Sequence, residues 1–116
     1  MKGRIVLIVD DIDISRQGTA LIVESIGFDT DEASSGFEAL EKVKAKLYAA
    51  VLMDYNMPEM NGIECTAKIR EMEAGTGRRT PIIAMSAGDE SDLREKCLLG
   101  GMDDFISKTC STGELL

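Results

Sequence analysis

The chain has 116 residues, of which 44% are hydrophobic, and its formal net charge is −8. This length predicts one domain over residues 1–116 with a core of its own. The acidic balance argues against nucleic acid and anionic membrane surfaces as partners, because both are bound mainly through Lys and Arg. No apolar run approaches the roughly 20 residues of a membrane-spanning helix. The first residues lack the cleavage region of a signal peptide, so we expect a cytoplasmic protein.

The chain has no histidine, and its three cysteines, Cys65, Cys97 and Cys110, do not have the spacing of metal ligands. The absence of histidine excludes Ser-His catalysis, Cys-His catalysis and histidine-bound metals. The odd number of cysteines favours small buried thiols.

Short apolar runs alternate with helical patterns along the whole chain. The predicted strands are 4–9, 28–33, 49–54, 81–86 and 104–107. The predicted helices are 14–26, 35–46, 61–73 and 89–99, and a last helix barely begins at 111. Strict alternation predicts an α/β fold, a doubly wound five-stranded parallel sheet with helices on both faces.

Several local signals set the ends and faces of these helices. Ser35 with Glu38, and Asn61 with Glu64, have the spacing of capping boxes, and Gly27 is a predicted C-cap. The second strand is short and acidic, which is typical of a sheet edge. The apolar positions of the first helix are Ala20, Leu21, Val23 and Ile26. The side chains predicted to be buried on the next two helices are Phe37, Leu40, Val43, Leu47, Ile63, Ala67 and Ile69.

The strands that lead to the predicted crevice are each followed by, or end in, a chemically useful residue. Asp10 and Asp11 follow the first strand, Asp54 ends the third, Ser86 ends the fourth and Lys108 follows the fifth. Taken singly, such residues are more often caps, turn residues or surface lysines. Because open α/β folds bind ligands at the carboxyl ends of parallel strands, their joint occurrence indicates one site.

This combination of residues predicts metal-assisted phosphoryl transfer. Three neighbouring carboxylates repel one another unless a cation compensates them, and oxygen ligands in a partly hydrated site favour Mg²⁺. The Asp54 carboxylate would attack phosphorus and give an acyl phosphate. Mg²⁺, the Lys108 ammonium and the Ser86 hydroxyl would contact the three equatorial oxygens, which carry charge in the transition state.

The chain resembles the receiver domain of two-component response regulators, of the chemotaxis-receiver type. The matching residues are Asp10-Asp11, the segment 53–62, Ser86-Ala87 and the segment 105–108, and the resemblance covers essentially the whole chain. It implies a flavodoxin-like strand order of 2-1-3-4-5. It also implies a signalling switch that catalyses only its own phosphorylation and dephosphorylation. The stretch 77–87 is most similar to receivers of hybrid sensor kinases or phosphorelays.

The resemblance implies a phosphoacceptor and a metal site. Asp54 would accept a phosphoryl group from the phosphohistidine of a histidine kinase or of a histidine phosphotransfer protein. Mg²⁺ would be bound by Asp11, Asp54 and the backbone carbonyl of Asn56, with Asp10 acting through water.

The resemblance also implies a conformational switch. Ser86 would move toward a phosphoryl oxygen, and Lys108 would pair with another. Phe105 would turn inward as Ser86 moves. The surface formed by the fourth helix, the fifth strand and the last helix would then change.

Two departures from the family pattern carry expectations of their own. Family members usually have proline after the lysine, joined by a cis bond, whereas this chain has Thr109. We expect either a trans Lys108-Thr109 bond with a shifted loop or a strained cis bond, and either would change the aim of Lys108. The predicted last helix has only about a turn, which would leave apolar sheet surface uncovered. Such surface usually marks an interaction site, so we expect self-association or a partner helix on that face.

Two other functions remain open from the sequence. The segment Asp11-Ile12-Asp13 also fits the signature of haloacid-dehalogenase-like phosphatases, with Asp11 as nucleophile and Asp13 as acid and base. Against this, the chain has no room for a cap domain, and Asp54 would have no role. A binding-only pseudo-receiver is the other alternative. The complete set of site residues argues against it, while Thr109 keeps it open.

Overall fold

Strands and helices alternate strictly along the chain, as the sequence pattern predicts. The computed structural model describes residues 4–55, 57, 59–77, 79–86 and 91–107, without the side chains of 86, 91–94 and 107. Along these residues the elements are β1 (Ile5–Val9), α1 (Asp13–Ser25), β2 (Asp29–Ala33), α2 (Gly36–Ala45), β3 (Ala50–Asp54), α3 (Gly62–Glu73), β4 (Ile82–Ser86), α4 (Ser91–Leu99) and β5 (Asp104–Ser107).

The five strands form one parallel sheet in the order β2-β1-β3-β4-β5. This confirms the predicted fold and places the acidic β2 at an edge. In the pairing of β1 with β3, Val9 lies opposite Met53. The next residue of each strand is an aspartate, so the register brings Asp10 and Asp54 side by side at the carboxyl edge.

The central strands are apolar on both faces because helices cover both sides of the sheet. Leu7 and Val9 belong to a core cluster that includes residues of α2, α3 and α4. Val6 and Ile8 belong to a second cluster that includes residues of α1. Alternate residues of β1 therefore anchor it in two separate layers, which holds the residues after its end in a fixed position.

The predicted caps of α2 and α3 are present, but only one forms a full capping box. In α3, Glu64 N–H donates to Asn61 Oδ1 and Asn61 N–H donates to Glu64 Oε1, both at 2.9 Å. In α2, Ser35 Oγ accepts from Glu38 N–H at 3.1 Å. The Glu38 carboxylate accepts instead from the backbone and hydroxyl of Ser34. Gly27, the predicted C-cap of α1, lies one residue beyond the C-cap Ile26 and has a φ of 107°.

Three side chains that we predicted to be buried are exposed. Phe37 is 52% exposed and Leu47, which lies beyond the end of α2, is 66% exposed. Ala67 is also exposed. Successive helical residues lie about 100° apart, so each helix buries only a narrow stripe. In α1 and α2 that stripe contains the small residues Ala20 and Ala39, which turns their bulkier neighbours outward.

Two of the three cysteines confirm the prediction of small buried thiols. Cys65 and Cys97 are fully buried, and burial raises the pKa of the Cys65 thiol to about 11. Cys110 lies outside the described residues.

An apolar groove of about 580 Å³ lies on the side of the sheet that faces α1. Its apolar lining includes Val6, Val23, Leu52, Ile83 and Ile106. The predicted short last helix lies outside the described residues. Along the described part of the chain, no helix has the length and apolar character needed to cross a membrane.

Candidate functional site

Three aspartates meet at the carboxyl edge of the sheet. One carboxylate oxygen each of Asp10, Asp11 and Asp54 lies within 4.8 Å of the other two. Asp10 and Asp54 are buried, with 0% and 2% of their surface exposed, although both are ionisable. The structure thus brings together the three acids that the sequence analysis singled out.

The main chain around Asp10 is fixed by the two strands beside it. Asp10 N–H donates to the carbonyl of Ala33 at the end of β2, at 3.1 Å. The Asp10 side chain turns back and accepts from Ile12 N–H at 3.0 Å. The Asp10 carboxylate therefore closes the turn between β1 and α1 through this hydrogen bond.

The peptide of Asp54 is held by the start of α3. Gly62 N–H donates to the Tyr55 carbonyl at 3.0 Å. A Cβ atom added to Gly62 would lie only 2.7 Å from the Asp54 carbonyl oxygen. Glycine is required here because the helix start approaches the backbone of β3 directly. The sequence placed Gly62 at a helix start but gave no sign of this contact with the phosphoacceptor candidate.

The described residues of this site fit a Mg²⁺ ion. Asp11 Oδ1 is buried and has no hydrogen-bond partner among the described residues, which is costly for a carboxylate. A divalent cation would supply the missing interaction and offset the repulsion among the three acids. The three residues offer only oxygen ligands, which suits Mg²⁺ better than softer metals.

The remaining predicted site residues are described only in part. Ser86 ends β4, where it pairs with Ser107 of β5, but its side chain is not described. Asn56 and Lys108 lie outside the described residues, as does Thr109. The approach of Ser86 and Lys108 to the three acids therefore stays a prediction.

Phe105, the predicted switch residue, lies on β5 opposite Ala84 of β4. Only 8% of its surface is exposed, and it belongs to the core cluster on the α2, α3 and α4 side. Its predicted movement with Ser86 stays a prediction.

Arg16 is a residue of this edge that the sequence analysis missed. Its Nη1 donates to the Asp10 carbonyl at 2.9 Å, its Nε to Glu32 at 2.8 Å and its Nη2 to Asp13 at 2.7 Å. Burial acts to lower the pKa of the Arg16 guanidinium, but Asp13 and Glu32 outweigh burial and raise the pKa. The spacing of Asp13 and Arg16 on one helix was a usable signal, whereas the contact with Glu32 on β2 was not.

The alternative phosphatase site is not favoured by this geometry. Asp13, its proposed acid and base, is 74% exposed and forms an ion pair with Arg16. The acid that joins Asp10 and Asp11 is Asp54.

Residues 6–116 match the profile of the response regulator receiver domain. Among curated proteins, the hybrid signal transduction histidine kinase B of Dictyostelium discoideum is 34% identical over 96% of this chain, which spans 6% of that protein. The transcriptional regulatory protein SrrA of Staphylococcus aureus is 38% identical over 96% of this chain, which spans 44% of that protein.

Two solved structures share the fold over nearly the whole chain. The receiver domain of the histidine kinase CKI1 from Arabidopsis thaliana, solved in complex with Mg²⁺, is 34% identical, with a TM-score of 0.89 and coverage of 99% of this chain and 90% of that one. The chemotaxis protein CheY4 of Vibrio cholerae is 25% identical, with a TM-score of 0.86 and coverage of 97% and 92%. The chain belongs to the response regulator receiver domain family, whose members are signalling switches of two-component systems.

Proposed function

We propose that residues 1–116 form a single receiver domain in which Asp54 is the phosphoacceptor. The donor is the phosphohistidine of a histidine kinase or of a histidine phosphotransfer protein. The observation that carries the proposal is the cluster of Asp10, Asp11 and Asp54, in which a buried Asp11 oxygen has no partner in the part of the chain that the structure describes. Such a cluster is costly for the fold unless it binds a cation.

In the proposed reaction, a carboxylate oxygen of Asp54 attacks phosphorus while the bond from phosphorus to the histidine nitrogen breaks. Asp11, Asp54 and the Asn56 carbonyl would hold Mg²⁺, and Asp10 would act through water. When bound, Mg²⁺ neutralises charge on the phosphoryl oxygens. The Ser86 hydroxyl and the Lys108 ammonium contact the other two oxygens.

The same event is the proposed switch. A phosphoryl group adds up to roughly two negative charges and three strong acceptors. Ser86 and Lys108 follow the phosphoryl group at the ends of β4 and β5, and Phe105 turns inward as Ser86 moves. The surface of α4, β5 and the last helix then changes.

The direct test is mass spectrometry after incubation with acetyl phosphate and Mg²⁺. Wild-type protein should gain one phosphoryl group, and Asp54→Asn should gain none. Peptide mapping should place the group on Asp54. A group mapped to Asp11 would instead support the phosphatase alternative, and no adduct on the wild type would favour a binding-only pseudo-receiver.

We also propose that the protein catalyses no metabolic reaction and acts in the cytoplasm. Its phosphoryl donor binds at the carboxyl edge of the sheet. Self-association through the apolar groove, or its coverage by a partner helix, stays a prediction. Light scattering at increasing protein concentration tests self-association, and a strictly monomeric species at high concentration would count against it.

A further inference from the structure

The peptide between Asp10 and Asp11 determines where the Asp11 carboxylate points. A peptide unit is planar, so the direction of the Asp10 carbonyl also fixes the direction of the Asp11 N–H bond. If this plane rotates, the Asp11 side chain moves with it. Repulsion among the three carboxylates favours such a rotation, because it would carry Asp11 away from Asp10 and Asp54.

Arg16 holds the carbonyl of this peptide. Its three hydrogen bonds join the end of β1, the end region of β2 and the first turn of α1, through Asp10, Glu32 and Asp13. The side chain is only 12% exposed. A planar guanidinium with several fixed donors can hold three acceptors in one geometry, which a lysine ammonium cannot do in the same way.

The start of α1 depends on this contact more than most helix starts do. Its N-cap residue is Ile12, and no side-chain hydrogen bond caps the helix there. The turn is closed instead by the Asp10 carboxylate from one side and by Arg16 from the other. The contact therefore ties the acidic turn to the two strands beside it.

We propose that Arg16 is a positioning residue for the acidic site. By holding the Asp10 carbonyl, it keeps the Asp11 carboxylate beside Asp54 and so raises the affinity of the site for Mg²⁺. The inference rests on the proposed function, because it concerns the metal site of the same receiver.

Charge and position predict opposite effects, which makes the inference testable. A cation near a metal site repels the metal, so removing the charge of Arg16 would by itself tighten Mg²⁺ binding. If Arg16 acts by position, removing it weakens binding. Arg16→Lys separates the two effects more sharply, since it keeps the charge but not the three-way geometry.

The experiment is a Mg²⁺ titration of the unphosphorylated protein, followed by amide NMR shifts of the residues around Asp11. Arg16→Gln should raise the Kd for Mg²⁺ roughly 10-fold or more, as expected when a group that orients a metal ligand is lost. Arg16→Lys should raise it too, by less. The matched control is Arg70→Gln, which removes a similarly buried arginine with four hydrogen bonds at the other edge of the sheet. This variant should leave the Kd unchanged.

Wild-type or tighter Mg²⁺ binding in Arg16→Lys and Arg16→Gln would overturn the inference and leave the proposed function standing. Absence of Mg²⁺ binding in the wild type would overturn both. The titration is run below the unfolding midpoint of every variant. If neither Arg16 variant folds, Glu32→Ala decides, because it removes one anchor of Arg16. This titration is run in about 1 M monovalent salt, which screens the loss of the negative charge of Glu32. A smaller loss of affinity supports the inference, and wild-type affinity contradicts it.

Discussion

Two arginines at opposite edges of the sheet make similar hydrogen bonds. The two edges differ in whether every carboxylate oxygen has a partner among the described residues. Arg16 lies at the carboxyl edge and Arg70 at the amino edge, and their side chains are 12% and 16% exposed. Each donates to backbone carbonyls and to carboxylates. Both are therefore ties between elements that are distant in the sequence.

At the amino edge every oxygen in the network is used. Arg70 donates to the carbonyls of Gly101 and Thr80 and to the carboxylates of Glu73 and Asp103. The same carboxylates also accept from backbone N–H groups, Glu73 from Thr80 at 2.7 Å and Asp103 from Ile82 at 2.9 Å. This edge is complete without a ligand, and its role is to hold α3 to the starts of β4 and β5.

At the carboxyl edge one carboxylate oxygen is not satisfied. Asp11 Oδ1 is buried without a partner among the described residues, although Arg16 donates to the carbonyl of the preceding residue, Asp10. The comparison shows that the fold can satisfy its buried acids where only stability is needed. Where a ligand is expected, the fold holds an acid in place but gives one of its oxygens no hydrogen-bond partner among the described residues.

The largest expected effect on stability comes from breaking the hydrogen-bond network of Arg70 at the amino edge. Arg70→Met leaves Glu73 without its cation and takes from Asp103 one of its two cations, Arg70 and Arg79, so we expect a loss of about 3 kcal/mol in the free energy of unfolding. Urea denaturation measures it. A loss below about 0.5 kcal/mol, the level of ordinary surface substitutions, would show that the network is not a structural tie.

A smaller loss is expected from crowding the carboxyl edge. Gly62→Ala places a methyl group against the Asp54 carbonyl, and the shift of backbone that this requires should cost about 2 kcal/mol. Gly18→Ala is the matched control in α1, where an added Cβ meets nothing within 4 Å. It should stabilise the protein by about 0.5–1 kcal/mol. Equal unfolding midpoints for the two variants would contradict the close contact.

Replacing Asp11 should stabilise the protein in the absence of Mg²⁺, in contrast to the two destabilising changes at Arg70 and Gly62. Asp11→Asn reduces the repulsion among the carboxylates, so we expect a gain of about 1 kcal/mol in the absence of Mg²⁺. The wild type should gain about 1.4 kcal/mol at a Mg²⁺ concentration ten times its Kd, and the variant should gain little. Thermal unfolding with and without Mg²⁺ measures both. A variant that is less stable than the wild type without Mg²⁺ would argue that Asp11 has a structural partner.

The smallest expected effect is a dependence of stability on pH at the amino edge. Burial acts to raise the pKa of Asp103, but the hydrogen bond from Ile82 and the cations Arg79 and Arg70 outweigh it and lower the pKa. A carboxylate whose pKa is lower in the folded state stabilises the fold above its unfolded pKa of about 3.9. That stabilisation is lost as the pH falls through the folded value.

Urea denaturation between pH 5 and pH 3, a range set about the unfolded pKa, tests this effect. The free energy of unfolding of the wild type should fall below about pH 4. Asp103→Asn should fall less steeply over the same range, and an equal slope in the two proteins would contradict the assignment.

The sequence was sufficient to predict the sheet and its three acids because both follow from local patterns. Alternating strands and helices imply a parallel sheet, and an aspartate at the end of a strand lies at its carboxyl edge wherever that strand is placed. Arg16 and Gly62 act through contacts with distant backbone atoms, the carbonyls of Asp10 and Asp54. No periodicity or motif encodes those contacts.

Burial on the helices was harder to predict for a related reason. Phe37 was assigned to a buried face from its hydrophobicity, yet a close approach between elements selects small residues. Gly36 shows this, since an added Cβ would lie 2.8 Å from the sulfur of Met60. Which face of a helix makes such an approach depends on the neighbouring element, which the helix sequence does not contain.

The pairing of Val9 with Met53 also has a consequence for folding kinetics. The two strands that carry the acids are adjacent in the sheet, but α1, β2 and α2 lie between them in the chain. Asp10 and Asp54 therefore meet only after this intervening segment has closed as a loop. If that contact forms after the transition state for folding, a cation bound there acts mainly by slowing unfolding.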